Sequence, residues 1–330
     1  MTDPVRAIAD AVLYEGYILW PYRRSALKNQ RRFTFGGVYP PEHTVMHPDD
    51  ADRMRTEVLL EADASASLQV EVRFLQVVQR TVCDAQGQPV DELVVDGERH
   101  LSWEEAIERQ LDVPLLHIGG PGTDLDITIA PGNEREAVFD AGGIAVGSLH
   151  RTWRRIDALV SVSVVPAGDR LWRVTVEVRN VTPLTPGTPR QEVLGRTLCS
   201  THTMLRTDGG AFVSATDPPA QHVDAVAACS NVGTWPVLVG DPPDRTTILS
   251  SPIILEDYPR VAPESPGDLF DGGEIDQLLV LNILALTDEE KAEMRASDPR
   301  AREILERTEA LTPEQLMALH GTIREFGLTR

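Results

Sequence analysis

Alternation of apolar and polar residues dominates the middle of the chain and predicts β-strands there. Residues 67–82 (SLQVEVRFLQVVQRTV) alternate over enough positions for one long strand. Residues 154–182 hold two alternating runs around a PAGD turn, with β-branched residues at period two, which predicts a hairpin. The same pattern predicts two strands joined by a Gly-Gly turn over residues 193–219, and one more strand within residues 246–259.

The first half of the chain mixes helical and strand patterns. We expect a short helix over residues 4–14, and a second helix over residues 47–62 (HPDDADRMRTEVLLEA). Residues 92–111 predict a strand, a turn at Asp96-Gly97 and a helix, whose start would carry a capping box of Ser102 and Glu105. Residues 118–145 are rich in glycine and acids, so we expect loops around one short strand, LDITIA.

Helical patterns return from Glu274 to the C-terminus. They predict three helices, over residues 274–294, 299–311 and 313–326. Thr287 with Glu290 fits a capping box, and Thr312 precedes Pro313 and Gln315 in a similar arrangement.

These elements together predict an α+β fold. It would comprise an aromatic and basic N-terminal segment with a mixed part (residues 1–145), a β-rich, sandwich-like central region (146–262) and a helical C-terminal tail (263–330).

Composition narrows the functional classes. The net charge of -20 and the pI near 4.8 argue against binding duplex nucleic acid, which would be repelled by most of the surface. No apolar run is long enough for a transmembrane helix, and the N-terminus lacks the apolar core of a signal peptide, so we expect a cytoplasmic protein without membrane association. The three cysteines form no C-x-x-C pair, which argues against a disulfide framework or a zinc ribbon.

One stretch departs from this acidity. YRRSALKNQRRF, residues 22–33, holds five positive charges and no acid, and seven of the 17 aromatic residues lie between residues 14 and 40. Arginine, tyrosine and tryptophan are enriched at interaction hot spots, and arginine forks suit carboxylates. We therefore predict a partner-binding segment made of Trp20, Tyr22, Arg23, Arg24, Lys28, Asn29, Gln30, Arg31, Arg32 and Phe33.

Two other interpretations of this stretch stay open. The segment could fold back onto the acidic body of its own chain and neutralise it, acting as an internal clasp. Single-stranded nucleic acid also favours arginines interleaved with aromatic rings, although the acidity of the whole chain opposes that interpretation.

Metal-binding and catalytic patterns are weak. Cys199 and His202, with His222 and Cys229 downstream, have the ligand types of a zinc or nickel site. Positions 199 and 202 of a regular strand point to opposite faces, however, which favours a core cysteine and an unrelated histidine. The acids Asp268, Asp271, Glu274 and Asp276 match no EF-hand and suit a helix start.

Catalytic motifs are also missing from the sequence. It contains no G-x-S-x-G, P-loop or dinucleotide fingerprint, and nothing pairs the acids Glu15, Glu256 and Asp257. No catalytic residue, metal or cofactor is predicted.

Three blocks of the chain resemble a family of largely uncharacterised bacterial proteins associated with [NiFe]-hydrogenase gene clusters. They are residues 14–40, residues 231–291 (NVGTWPVLVG to TDEEK) and residues 305–321 (LERTEALTPEQLMALHG). The resemblance implies an accessory role in hydrogenase assembly or maturation, with a hydrogenase subunit or maturation factor as partner. A metal carrier or enzyme of the same pathway and a structural homo-oligomer are the alternatives.

Overall fold

The computed structural model describes residues 4–15, 17, 22, 29, 32, 33, 35–260 and 276–312. Its helices are α1 (Pro4–Leu13), α2 (Pro41–Met46), α3 (Arg190–Leu194), α4 (Val223–Ala227), α5 (Asp276–Leu284), α6 (Asp288–Ser297) and α7 (Pro299–Glu309). Its strands are β1 (Arg53–Asp84), β2 (Pro89–Val90), β3 (Glu92–Val95), β4 (Glu98–Leu101), β5 (Trp103–Asp112), β6 (Leu116–His117), β7 (Thr123–Ile129), β8 (Gly132–Phe139), β9 (Ala145–Trp153), β10 (Ile156–Gly168), β11 (Leu171–Asn180), β12 (Cys199–Phe212), β13 (Trp235–Leu238) and β14 (Thr247–Ser251).

A 12-stranded antiparallel sheet organises the fold. Its main order is β13-β14-β12-β1-β11-β10-β7, while β2, β5, β6 and β9 also pair with β1, and β8 pairs with β9. Strands β3 and β4 form a separate two-stranded sheet. The predicted α+β class, with a helical C-terminal part, is confirmed.

Strand β1 is 32 residues long and changes partners along its length. Its first third pairs with β11 on one edge, its middle with β12 on the other, and its last part with β5 and β9. Because one strand joins all these partners, strands from both sides of residue 145 belong to one sheet. The mixed part (1–145) and the β-rich region (146–262) are therefore built on a common element.

The central core lies on one face of this sheet. Alternate residues of β1, among them Val58, Leu60, Val70 and Phe74, form one buried cluster with the inward residues of β10, β11 and β12. The period-two apolar pattern of the sequence produces this cluster, because alternate side chains of a strand share a face.

Two smaller clusters cover the opposite face. In one, Leu75 and Val77 of β1 pack with N-terminal aromatic residues and with Ile304 and Leu305 of α7. In the other, Ala9 and Val12 of α1 pack against β12, β13 and β14. The N-terminal segment and the C-terminal helices thus share one side of the sheet.

Two predicted helices are wrong, and both segments are strands. Residues 53–62 begin β1 and pair with β11, while residues 103–112 form β5 and pair with β1 from Arg80↔Trp103 to Glu71↔Asp112. Their residues favour helix, but pairing with β11 and with β1, respectively, satisfies their backbone hydrogen bonds, and tertiary contacts override local propensity. The capping box predicted at Ser102 does not form, since the Ser102 hydroxyl donates to the carbonyl oxygen of Val90 (2.9 Å) and accepts from Val82 N (3.0 Å).

The predicted Gly-Gly turn is also wrong. Strand β12 runs continuously through Gly209 and Gly210, and the register with β1 shifts between Ala62 and Ser67 at this point. Gly209 has a φ of +82°, which glycine adopts without strain and which suits a bulge. The sequence also failed to predict β8, which pairs with β9 in a hairpin.

Other local predictions are confirmed. Helix α1, the β10–β11 hairpin, strand β7 and helix α7 form where expected, whereas the helix expected over residues 274–294 is divided into α5 and α6. The capping box of α6 is complete, with Thr287 and Glu290 each bonding the other's backbone N–H. The helix predicted over residues 313–326 lies outside the described residues. No helix in the described part of the chain is long and apolar enough to cross a bilayer.

Replacing Leu205 with alanine tests the central core. Leu205 is fully buried on β12, so we expect Leu205→Ala to lower the free energy of unfolding by about 2–5 kcal/mol. Leu115→Ala is the matched control, because that leucine is 53% exposed and its truncation costs little. Urea unfolding monitored by circular dichroism gives both values, and equal losses in the two variants would contradict the core assignment.

Candidate functional site

The described residues of the predicted partner-binding segment point into the protein. Tyr22, Asn29, Arg32 and Phe33 are between 0% and 4% exposed. In this conformation their side chains are not accessible to a partner. The other predicted members lie outside the described residues: Trp20, Arg23, Arg24, Lys28, Gln30 and Arg31.

Arg32 is buried among aromatic rings. Its guanidinium lies 3.9 Å from the ring centroid of Trp103, 4.9 Å from that of Phe33 and 5.4 Å from that of Tyr17. Its N–H groups donate to the backbone oxygens of Tyr17 (3.3 Å) and Glu104. Such cation–π and carbonyl contacts replace part of the hydration that a buried charge loses.

Arg32 forms no ion pair with a described residue. Burial lowers the pKa of Arg32, and the nearby Tyr17 and Asp298 oppose this effect. The compensating negative charge therefore lies one contact further away, at Asp298.

Tyr17 connects this arginine to the C-terminal helices. Its hydroxyl donates to Oδ2 of Asp298 over 2.6 Å, and burial followed by the charge of Asp298 raises the pKa of Tyr17. Oδ1 of Asp298 accepts the N–H of Arg300 (2.8 Å) as the N-cap of α7. One buried carboxylate thus caps a helix and holds the N-terminal segment against it.

A second buried arginine, Arg80 of β1, lies under the same helices. It donates to Oε1 of Glu105 (2.7 Å) and to the carbonyl oxygens of Ala296 and Ser297 at the end of α6 (3.2 and 3.1 Å). Glu105 also accepts from Arg151 of β9 at 2.7 Å. The junction of α6 and α7 is therefore attached to three strands through charged hydrogen bonds.

A third buried arginine attaches α1. Arg73 of β1, only 1% exposed, donates to Asp10 (2.6 Å) and to Glu108 (3.3 Å). Glu108 also accepts from the hydroxyl of Tyr14 (2.7 Å) and from Arg300 (3.0 Å), whose guanidinium lies 3.3 Å from the Tyr14 ring centroid. These contacts join α1, β5 and α7.

A pocket of about 840 Å³ opens beside Arg32, within the usual size range of ligand sites. Its described walls include Arg32 and Trp103 on one side and Arg190 with Leu194 of α3 on the other. Acidic side chains also line it: Asp91, Glu92, Glu104 and Glu293.

Two nitrogen atoms beneath α1 have no hydrogen-bond partner among the described residues. They are Nη1 of Arg73 and Nε2 of His202, which occupy paired positions on β1 and β12. Burial, and then the charge of Arg73, lower the pKa of His202 to about 3. His202 is therefore neutral at pH 7.

The cysteines and histidines considered for metal binding do not come together. Cys199 packs in the cluster below the N-terminal aromatic residues, where burial raises its pKa to about 12. His222 binds Glu61 (2.9 Å), and the thiol of Cys229 faces the carbonyl oxygen of Ala225 (3.6 Å). No group of three metal-ligating side chains with suitable geometry occurs within the described ranges.

One geometric expectation about these residues is wrong. Cys199 and His202 were expected on opposite faces, but a register shift lies between them. Leu75 pairs with Cys199 and Arg73 pairs with His202. The chain therefore advances three residues on β12 while it advances two residues on β1. Both side chains consequently lie on the face covered by the N-terminal segment, and Ser200 between them has a φ of +49°.

The remaining acids have structural contacts or lie outside the described chain. Asp257 accepts hydrogen bonds from Ser214 (2.6 Å), Thr216 (2.9 Å) and Leu238 N (2.8 Å), which fixes the end of β13. Asp268, Asp271 and Glu274 fall outside the described residues, and only the backbone of Asp276 is described.

Sequence reasoning missed Tyr17, Arg80, Trp103, Glu105 and Asp298 as members of this site. One signal was present, because Arg73 and Arg80 lie in the apolar-rich stretch of residues 72–83, where a charge needs a buried partner. Their partners lie up to 217 positions away, and the pattern of one strand does not identify them.

The sequence was compared with protein-family models and with curated proteins. No protein-family model matches this sequence, and no curated protein matches it significantly.

Removing one hydroxyl tests the connection between the two ends of the chain. Tyr17→Phe leaves Oδ2 of buried Asp298 without its donor, so we expect a loss of about 1–3 kcal/mol in the free energy of unfolding. Tyr258→Phe is the control, because no described residue hydrogen-bonds its hydroxyl. Chemical denaturation compares the two, and a Tyr17→Phe variant as stable as the wild type would refute the connection.

Acidification tests the state of His202. The pKa of His202 is about 3 in the folded protein, against an ordinary value of 6.5, so the unfolded chain binds the proton first as pH falls. The contribution of neutral His202 to the free energy of unfolding is complete above pH 6.5. Below that pH it declines by about 1.4 kcal/mol per pH unit.

Between pH 6.5 and pH 5 this loss amounts to about 2 kcal/mol. We expect His202→Gln to flatten the pH dependence of the unfolding free energy in this window, whereas His117→Gln, at an exposed position, leaves it unchanged. Identical slopes in all three proteins would show that His202 is not buried in the neutral form.

Proposed function

We propose that this chain is an accessory protein in the assembly or maturation of a [NiFe]-hydrogenase, and that it acts by binding a hydrogenase subunit or a maturation factor. The resemblance of three sequence blocks to proteins of hydrogenase gene clusters supports the pathway. The attachment of the basic segment to the body of the protein supports the mode of action.

That attachment is the observation on which the proposal depends. All four described residues of the range 22–33 have buried side chains: Tyr22 at the start, Asn29 further along, and Arg32 and Phe33 at the end. A segment fixed at several points loses less conformational entropy on binding than a free one, which favours affinity. The buried residues are thus anchors, and recognition falls to the residues between them.

We assign the positively charged residues of this segment to two groups. Arg32 serves the interior, because its guanidinium contacts Trp103, Tyr17 and Glu104. Arg23, Arg24, Lys28 and Arg31 are left as the basic recognition residues for an acidic surface of the partner. On a body with a net charge of -20, such a basic element orients an acidic partner while the rest of the surface repels it.

Two exposed aromatic rings, Phe35 just after the segment and Trp235 of β13, line one pocket. Phe35 and Trp235 are 42% and 45% exposed and line the same pocket of about 240 Å³. Aromatic side chains supply large contact areas at low entropic cost. We therefore extend the proposed interface to these two rings.

Charge reversal tests the proposed interface. The variant carrying Arg23→Glu, Arg24→Glu, Lys28→Glu and Arg31→Glu is expected to lose co-purification with hydrogenase subunits or maturation factors from the native host. Arg32 stays unchanged, because replacing that buried arginine would destabilise the fold instead of the interface. Mass spectrometry of the purified material identifies the partners.

The matched control reverses four exposed arginines elsewhere, Arg135, Arg155, Arg170 and Arg179. This control changes the net charge of the protein by the same amount as the first variant. If the control also loses co-purification with the partners, the loss reflects a general charge effect. Thermal unfolding confirms that both variants are folded. Unchanged co-purification of the first variant would refute the proposed interface.

A further inference from the structure

The pocket beside Arg32 is lined by two arginines that form no direct ion pair with a described residue. Arg32 is 4% exposed and forms no ion pair with any described residue, and its described hydrogen bonds go to the backbone oxygens of Tyr17 and Glu104. Arg190, exposed at the start of α3, likewise forms no ion pair within the described part of the chain and lies beside the hydroxyl of Tyr39. A buried guanidinium without a carboxylate partner is costly unless something else compensates it.

A third donor belongs to the same wall. Trp103 is 7% exposed and lines the pocket, and its indole Nε1–H has no hydrogen-bond partner among the described residues. Buried indole N–H groups are usually satisfied, so this one indicates a ligand or water that accepts from it.

Apolar and acidic side chains of the lining both limit the kind of ligand that can bind in the pocket. Leu101 and Leu194, both about 5% exposed or less, line the pocket with the ring of Trp103. Asp91, Glu104 and Glu293 belong to the same lining, whereas Glu92 is paired with Arg99 through two hydrogen bonds (2.6 and 2.9 Å). A dense polyanion would be repelled by these acids, which favours a ligand of low charge.

We propose that this pocket binds a small monocarboxylate with an apolar body. The carboxylate accepts hydrogen bonds from Arg190, from Arg32 and from the indole N–H of Trp103, and the apolar body packs against Leu101 and Leu194. Arginine suits this role because its planar donors match a carboxylate. The residues that carry this proposal differ from the recognition residues of the proposed interface, and the two are tested by different variants, so either proposal can fail without the other.

Isothermal titration calorimetry on the full chain tests this binding. Hexanoate and benzoate are the probes, hexanamide and benzamide are their neutral counterparts, and inorganic phosphate is the dense anion. We expect saturable heat with at least one carboxylate, and no saturation with the amides or with phosphate at the same concentrations. Absence of saturation with both carboxylates, or equal binding of an amide or of phosphate, would overturn the proposal.

Variants then locate the site. Arg190→Gln is expected to weaken carboxylate binding about tenfold or more, as for a lost charged hydrogen bond, and Trp103→Phe to weaken it by a smaller factor while keeping the ring. Arg155→Gln, an exposed arginine outside the pocket, should bind like the wild type. Because Arg190 is exposed, its replacement leaves the fold intact and decides the question even if Trp103→Phe is unstable. Wild-type affinity in Arg190→Gln would place the carboxylate elsewhere.

Discussion

Three buried arginines on one side of the sheet determine how the two ends of the chain are held. Arg73 and Arg80 of β1 and Arg32 of the N-terminal segment are each 6% exposed or less, and a buried guanidinium must be satisfied by carboxylates, carbonyls or rings. Arg73 binds Asp10 of α1, and Arg80 binds the end of α6. Arg32 lies against Trp103 and Tyr17, and Tyr17 in turn binds Asp298. Removing one partner would leave the other charge uncompensated, so the N-terminal segment and the C-terminal helices depend on the same network.

This network bears on two interpretations of the basic stretch, the internal clasp and the partner-binding segment. The internal clasp describes Tyr22, Asn29, Arg32 and Phe33, all of which are buried. The partner-binding segment is proposed for the basic residues between them. The same anchoring affects the design of experiments, because deleting residues 1–40 would remove α1 and several buried aromatic rings. Such a truncation would report on folding as much as on self-association, whereas point variants between the anchors separate the two.

The predicted elements succeeded where local pattern and tertiary environment agree. The β10–β11 hairpin alternates apolar and polar residues on a half-buried sheet, and the capping box at Thr287 depends on neighbours three positions apart. The predictions failed where a non-local partner decided the outcome. Residues 103–112 have a helical composition, yet they pair with β1 over ten positions. Cys199 and His202 share a face because of a bulge, and one strand's own pattern does not reveal its register with the next strand.

The sequence by itself determined the α+β class, the β10–β11 hairpin and several other strands, the helical character of the C-terminal part and the presence of an unusual basic and aromatic stretch. These properties follow from periodicity and composition, which act over a few neighbouring residues. The tertiary structure decided which of those residues are anchors, that Trp103 and Arg190 share a pocket, and that Asp298 meets Tyr17 across 281 positions. Contacts of this kind arise when the 32-residue strand β1 gathers distant segments, because hydrogen bonding and burial are satisfied in space and not along the chain.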